Sequence, residues 1–281
     1  MGVINVTPDS YFAGSRYPEA DAAAACAQAM VKQGAHILDI GAESTRPPQI
    51  YSPDEPARSF QVSETEELER ISEVIEQVCN AVIVPISVDT MKAKVARHAV
   101  SLGASMINDV NGFRDPEMRA VAAETDVSVC IMHMQGSPAT MQKNPQYSNG
   151  VTDTILRFFD HQVTALIAAG VKERNICLDP GLCFGKTIEN NVEILQNVQL
   201  FRSLGFPLLM GVSRKSVLAT LCNKPAPGSL AATITMNTLL AKAGVEIIRI
   251  HDVEEHRDMV SVLRGIGAIP CRTKSTTRTM W

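Results

Sequence analysis

The sequence predicts a single (β/α)8 TIM barrel, and three observations carry that expectation. Short apolar runs alternate with helix-length segments eight times, a pattern that implies right-handed βαβ units and a parallel sheet. The 281 residues suit one such barrel, which takes roughly 250. Most of the apolar runs also stop at a polar residue, at the end of the strand where this fold builds its active sites. The barrel is expected over residues 1–270, with no repeat or linker to mark a second domain. Residues 271–281, with Arg272, Lys274 and Arg278 among Thr and Ser, have no periodicity and are expected to form a disordered tail.

The elements follow in order. Val3, Ile4 and Val6 around Asn5 form the first strand, which ends in the turn Thr7-Pro-Asp-Ser10. Ala23, Cys26, Ala27, Met30 and Val31 recur at helical spacing, and Gly34 closes that helix as a C-cap would. Ile37 to Ile40 is the second strand, interrupted by Asp39 and followed by a long polar loop from Gly41 to Gln61. Leu68, Ile71, Ile75 and Val78 mark the next helix; acidic residues crowd its first turn, where the macrodipole favours them.

Strands then run from Ile86 to Val88 into Asp89, over Met106-Ile107 into Asn108-Asp109, and from Val127 to Met132 into His133. A helix follows with Ile155, Phe158, Phe159, Val163, Leu166 and Ile167 on its inner face. Ile176 to Leu178 is a short buried strand that stops at Asp179, since Pro180 cannot donate to a ladder and Gly181 frees the turn. Taken alone, Asp179 is a capping residue of a βα loop. A helix through Val192, Leu195 and Val198 leads to the strand Leu208 to Met210 and then Gly211-Val-Ser213. The helix Leu230 to Ala243, the strand Ile247 to Ile250 into His251-Asp252, and a last helix through Val262 complete the eight units.

Composition narrows the class. Hydrophobic content of 45% and charged content of 20% describe a globular protein with a sizeable core. The net charge of −4 gives no field for nucleic acid, so any anion site is local. Seven cysteines without a Cys-x-x-Cys argue for reduced thiols and a cytoplasmic location. No apolar run approaches the roughly 20 residues of a membrane span, and the N-terminus has no signal-peptide pattern.

The polar strand ends form one collar: Asn5, Asp39, Asp89, Asn108, Asp109, His133, Asp179, Ser213, Arg249 and His251. Asp39 and Asp109, taken singly, pass as barrel-layer or turn residues. The collar as a whole does not, because barrel strands normally bury branched aliphatics. It divides by charge. Asp89, Asn108 and Asp179, with Lys215 on the loop after the seventh strand, suit a flat heterocycle with adjacent N–H donors and ring acceptors, such as a pterin. Arg46, Arg249 and His251 form a cationic group, and Ser213-Arg-Lys-Ser216 falls where a helix begins, a ready anion site. The expected substrate has a ring at one end and phosphate at the other.

Eight motifs in order carry a family resemblance: Ile4-Asn-Val-Thr-Pro-Asp-Ser10, Glu43-Ser-Thr-Arg-Pro47, Ser87-Val-Asp-Thr90, Ile107-Asn-Asp109, Met132-His-Met-Gln-Gly136, Asp179-Pro-Gly181 with Phe184-Gly-Lys186, Ser213-Arg-Lys-Ser216 and Arg249-Ile-His-Asp252. The set resembles that of the dihydropteroate synthases, over residues 2 to 265. The resemblance implies a transferase of folate synthesis, joining p-aminobenzoate to 6-hydroxymethyl-7,8-dihydropterin pyrophosphate to give 7,8-dihydropteroate and pyrophosphate. It assigns Asp89, Asn108, Asp179 and Lys215 to the pterin, and Asn5, Arg46, Arg249 and His251 to the pyrophosphate. Asn5 is also implied as a ligand of Mg2+, the expected cofactor, held mainly through substrate phosphates. The same resemblance implies that Thr45, Pro47 and Ser216 help shape the p-aminobenzoate pocket. Arg249, His251 and Lys215 are the implied catalytic group, and the family's usual state is a homodimer formed through late helices.

Four features depart from the family pattern. Ala42 stands where a second Gly is common, and Cys183 stands at a usual Gly position under the pterin. Tyr11 replaces a usual Phe, and Phe12 adds a bulky residue beside it over the p-aminobenzoate pocket. That pair motivates an expectation of sulfonamide resistance, since those drugs imitate p-aminobenzoate but carry a substituent beyond its carboxylate. The sequence also opens on the first strand without the hairpin that commonly plugs the barrel floor, which implies either lowered stability or a true start further upstream. Two rival readings stay open: a methyltetrahydrofolate methyltransferase, which shares the Asp and Asn collar, and a pterin-binding paralogue without catalysis.

Overall fold

A computed structural model describes residues 1–7, 19–44, 62–225 and 228–270. Six parallel strands pair in chain order: β1 (Gly2–Asn5), β2 (Leu38–Gly41), β3 (Ile86–Asp89), β4 (Met106–Asp109), β5 (Ser128–Met132) and β6 (Ile176–Asp179). β7 (Leu209–Met210) pairs with β8 (Ile247–Ile248). Single parallel bridges, Leu178 to Leu208 and Gly2 to Ile250, join the two sheets at both seams and complete the eight-stranded barrel. The helices between the strands are α1 (Ala20–Gln33), α2 (Glu64–Ala81), α3 (Ala93–Ser101), α4 (Pro116–Thr125) and α5 (Val151–Ala168). After β6 come α6 (Ile188–Gln196), α7 (Val198–Arg202), α8 (Ser216–Leu221), α9 (Leu230–Lys242) and α10 (Val253–Gly265). Among the described residues no helix is long and apolar enough to cross a membrane.

Strand alternation sorts the core into two parts. Leu38, Ile40, Ile86, Val88, Ile107, Val129, Ile131 and Leu178 face outward and pack with helix residues such as Ala27, Ile71, Val95 and Phe159. Each fully buried Ile, Leu or Val in that layer contributes about 1.5–3 kcal/mol. The alternate residues Met1, Ile37, Met106, Cys130, Cys177, Leu209 and Ile247 form a separate apolar floor inside the barrel. One step along the strands, the inward positions turn polar, and this change builds the rim.

Local signals explain the element ends. Gly34 caps α1 at φ 108°, as its position predicts. Ser63 caps α2 through its side chain, and Asp115 and Thr187 do the same for α4 and α6. The sequence differs from the structure in three places. The helix expected through Val192 to Val198 breaks at Asn197, whose side-chain amide turns back to the Glu193 carbonyl. The eighth strand has only two ladder residues, so Arg249 lies just beyond it. Of the acidic residues at the start of α2, Glu67 is fully buried and paired with Lys92, so it does more than complement a dipole. The expected tail at 271–281 and the loops carrying Tyr11, Phe12, Thr45, Arg46 and Pro47 lie outside the described residues.

Candidate active site

The centre of the rim is Arg249. Its Nε donates to Asp39 Oδ2 at 2.6 Å and its second arm to Asp89 Oδ2 at 2.9 Å. Asp39 Oδ2 also accepts from Asn108 Nδ2 at 3.2 Å, so one carboxylate oxygen joins β2, β4 and the end of β8. Asp89 stands at the end of β3, opposite Gly41 in register. A Cβ on Gly41 would lie 3.3 Å from the Asp89 Cβ, so the glycine gives that carboxylate its room. Burial pushes the Asp89 carboxyl up, and the Asp39 charge adds to this, while Arg249 opposes it. Burial also works against the Arg249 charge, but Asp39 and Asp89 outweigh it and hold the guanidinium protonated. Asp89 and Asn108 of the expected ring-binding set thus share one hydrogen-bonded network with Arg249 of the expected phosphate-binding set, through Asp39.

The loop after β6 supplies the second wall. Gly181 donates its N–H to Asp179 Oδ1 at 2.8 Å. Gly181 sits at φ +69° with the His133 carbonyl oxygen 2.0 Å from where a Cβ would be, so no other residue fits this turn. Asp179 is buried, and desolvation raises its pKa against the pull of Lys215 and Arg249. Lys215 reaches back from the end of β7, donating to the Leu182 carbonyl at 2.7 Å with its ammonium 5.0 Å from the Phe184 ring centre. Burial lowers the Lys215 pKa, with Cys183 and Asp179 acting to raise it. Cys183 adopts φ 67°, a left-handed backbone that glycine takes without cost, and its Sγ lies 3.7 Å from Ser216 Oγ.

The loops after β7 and β8 correct two expectations. His251 was assigned to a cationic group, yet burial and the nearby Arg249 lower its pKa to about 3, so the imidazole is neutral here. Its Nδ1 lies 2.9 Å from Ser213 Oγ. The Ser213-Arg-Lys-Ser216 turn is also less bare than an anion nest: the Arg214 N–H donates to Thr233 Oγ1 and the Lys215 N–H to the Val212 carbonyl. The Arg214 side chain forms two hydrogen bonds with Asp252, at 3.0 and 2.6 Å. Asn5 ends β1 beside Gly41, on the same rim. Asp109 faces away from this centre, accepting the Asn111 and Phe113 N–H groups at 2.7 Å each.

Sequence reasoning missed three supporting groups. Asp39 passed as a barrel-layer residue, although a carboxylate inside a parallel strand is itself the signal that a partner exists. Lys186 is almost wholly buried, donating to the Gly181, Phe184 and His133 carbonyls at 2.8, 3.0 and 3.2 Å, and burial drives its pKa well down. Lys92 ties Glu67 to Glu43 of the second-loop motif, with the Glu43 contact at 2.6 Å; Glu43 Oε1 accepts the Val62 N–H at 3.3 Å.

Comparison with known proteins identifies the family. The family model described as pterin binding enzyme matches residues 1–251. A dihydropteroate synthase of Haemophilus influenzae is 39% identical over 262 residues, covering 93% of this chain and 91% of that protein. Among solved structures, the Yersinia pestis dihydropteroate synthase with a sulfonamide drug complex superposes with TM-score 0.87 at 37% identity, over 95% of this chain and 93% of that one. The Xanthomonas albilineans dihydropteroate synthase in complex with 7,8-dihydropteroate gives TM-score 0.81 at 33% identity, over 96% and 93%. On sequence, fold and the order of its rim residues, the chain belongs to the dihydropteroate synthases, transferases of the pterin-binding enzyme family.

Proposed function

We propose that this chain condenses p-aminobenzoate with 6-hydroxymethyl-7,8-dihydropterin pyrophosphate, giving 7,8-dihydropteroate and pyrophosphate for folate synthesis. The observation that carries the reading is the convergence of Asp89, Asn108, Asp179, Lys215 and Arg249 at one end of the barrel. A buried and a half-buried carboxylate with an amide suit the N–H edge of a pterin; Asp179 Oδ2 and Asn108 Oδ1 accept from it, and Lys215 adds a cation above the ring. Arg249, with Arg46 of the second loop, takes the pyrophosphate. His251 enters neutral and donates a hydrogen bond to the leaving group. No side chain acts as nucleophile: preorganised charge assists pyrophosphate departure, and the aromatic amine attacks the methylene carbon.

Mg2+ is proposed as the cofactor. Among the described residues no group of three or more His, Cys, Asp or Glu side chains could hold a metal ion. A hard cation that keeps its waters and binds mainly through substrate phosphates needs only one or two protein oxygens, and the Asn5 amide oxygen fits that demand. When bound, the ion would neutralise charge on the leaving pyrophosphate.

The deciding assay is pyrophosphate release with both substrates present. Release that requires p-aminobenzoate supports the reading. Binding of the pterin without release would identify a non-catalytic paralogue, and methyl transfer from methyltetrahydrofolate would identify the methyltransferase.

Three finer readings go with it. Sulfonamide insensitivity rests on Tyr11 and Phe12, whose bulk would clash with a drug substituent; a ratio of sulfonamide Ki to p-aminobenzoate KM unchanged in Phe12→Ser removes it. Homodimer formation through α9 and α10 is supported by the exposed apolar side chains of Leu239, Val262 and Ile266, and light scattering tests it. A cytoplasmic location is supported by six described cysteines none of which forms a disulfide with another, and fractionation of the host cell tests it.

A further inference from the structure

The proposed reaction leaves Asp39 without a task. Its carboxylate has no solvent exposure and lies in the barrel interior, one inward position below Gly41 and one above Ile37 of the apolar floor. A charge there is costly unless it is paired and hydrogen-bonded. Both of its partners belong to the site. The bond to Arg249 Nε sets the plane of the guanidinium and turns its other arm to Asp89. The bond from Asn108 Nδ2 settles which way that amide faces. With Nδ2 committed below, Asn108 Oδ1 remains a buried acceptor that no group among the described residues meets. An acceptor left unmade in the interior is unfavourable until a ligand N–H reaches it.

We propose that Asp39 is a positioning residue for the reaction, holding Asn108 as an acceptor for the ring and Arg249 as a fork for the pyrophosphate from a single carboxylate oxygen. The inference rests on the assignment of those two residues to the two ends of the substrate. It explains why a carboxylate occupies a layer that barrels normally fill with branched aliphatics. It also gives the site a fixed register between ring and leaving group, because both ends are referred to one atom of β2.

Asp39→Asn tests this with little change of shape. An amide at 39 can donate to Asn108 Oδ1, which turns the Asn108 NH2 toward the ring and offers a donor where an acceptor is needed. It also removes the charge that holds Arg249. Affinity for a dihydropterin lacking the pyrophosphate, measured by calorimetry, should fall roughly 10- to 100-fold, by analogy with the loss when a hydrogen-bond partner that orients a metal ligand is removed. Product inhibition by pyrophosphate should weaken in the same variant, while KM for p-aminobenzoate stays close to wild type. A merely structural role would lower the melting temperature and the active fraction but leave both constants per active site unchanged. That result, with both constants within about twofold of wild type, overturns the proposal.

A crystal structure of the wild-type protein with bound dihydropterin gives a second test that does not depend on the variant folding. Asn108 and Arg249 should both remain within hydrogen-bond distance of Asp39, and a complex in which either has left it refutes the role. A wild type that releases no pyrophosphate at all would overturn the reading of the reaction, whereas an active wild type with unchanged Asp39→Asn constants overturns only the role of Asp39.

Discussion

Asp179→Asn separates function from stability at one atom. The carboxylate is 6% exposed, and its Oδ1 already accepts the Gly181 N–H at 2.8 Å. An asparagine keeps that bond and the shape of the turn, but the atom facing the ring becomes an NH2 donor opposite ring N–H donors. A hydrogen bond to a charged partner is worth about 1.5–3 kcal/mol, so losing the ring's carboxylate contact should cost on the order of 2–4 kcal/mol in transition-state binding. At about 1.4 kcal/mol per decade, that is roughly 30- to 1000-fold in kcat/KM. Stability should move the other way or stay still. Burial raises the Asp179 pKa, so at neutral pH its ionised form works against folding, and a neutral amide removes that penalty. Steady-state pyrophosphate release and a thermal melt on the same preparation measure both effects. Near wild-type turnover would refute the assignment of Asp179 to the ring; a collapsed melt would instead show that the charge holds Lys215 and Lys186 in place.

Three further outcomes are expected. Cys183→Gly removes a side chain from a φ of 67°; relief of about 1–2 kcal/mol of left-handed strain against about 0.5–1 kcal/mol of glycine entropy leaves a small net gain in a urea titration. A clear loss would show that the packing of the thiol outweighs the strain. The His251 imidazole resonances should not titrate above about pH 5 in the free protein, since its pKa is lowered to about 3. Because the unfolded chain takes up that proton near pH 6.5 and the folded one only near pH 3, this residue weakens folding by up to about 1.4 kcal/mol per pH unit as pH falls between the two. Titration near pH 6.5 would place the ring in water. Lys186→Met strands the carbonyls of Gly181, Phe184 and His133 and should destabilise by about 2–4 kcal/mol in the same urea assay; no loss would mean that water reaches them.

The barrel was legible because its signals are local. Each of the first six strands is four or five residues of alternating apolar character that stops at or near a polar residue, and both features lie within one short window. The ends of the last two strands were less so. Leu208 to Met210 and Ile247 to Ile250 are continuous apolar or amphipathic runs, but only two residues of each form the β7–β8 ladder, while Leu208 and Ile250 make single bridges to β6 and β1, and nothing in composition marks that change of partner. The site was legible as a set of residues and not as a set of partnerships. Asp39 and Arg249 are 210 positions apart, and no spacing rule links them. The charge of His251 was misread for the same reason: protonation depends on burial and on Arg249, which a sequence does not display. Glu67 likewise matched a helix-dipole pattern, while its burial against Lys92 depends on how α2 packs beside α3.

The two-part core accounts for how a barrel can carry so much charge inside it. Stability comes mainly from the outward layer, where Ile40, Val88, Ile107, Ile131 and Leu178 meet the helices and are wholly buried. That layer does not depend on what the strands present inward, because alternate side chains point to opposite faces. The inward positions are therefore free to change from the apolar floor of Ile37, Cys130 and Leu209 to Asp39, Asn108, Asp89 and Asp179 within one or two residues of each strand. A carboxylate in that upper layer is desolvated and costs folding free energy, and the gain appears only when a substrate supplies the missing hydrogen-bond donors. Among the described residues, three of the buried side-chain atoms without a hydrogen-bond partner, Asp39 Oδ1, Ser87 Oγ and Asn108 Oδ1, are on the inward positions of β2, β3 and β4. They mark where the folded chain remains incomplete by itself, which is the physical property that makes the rim a binding site.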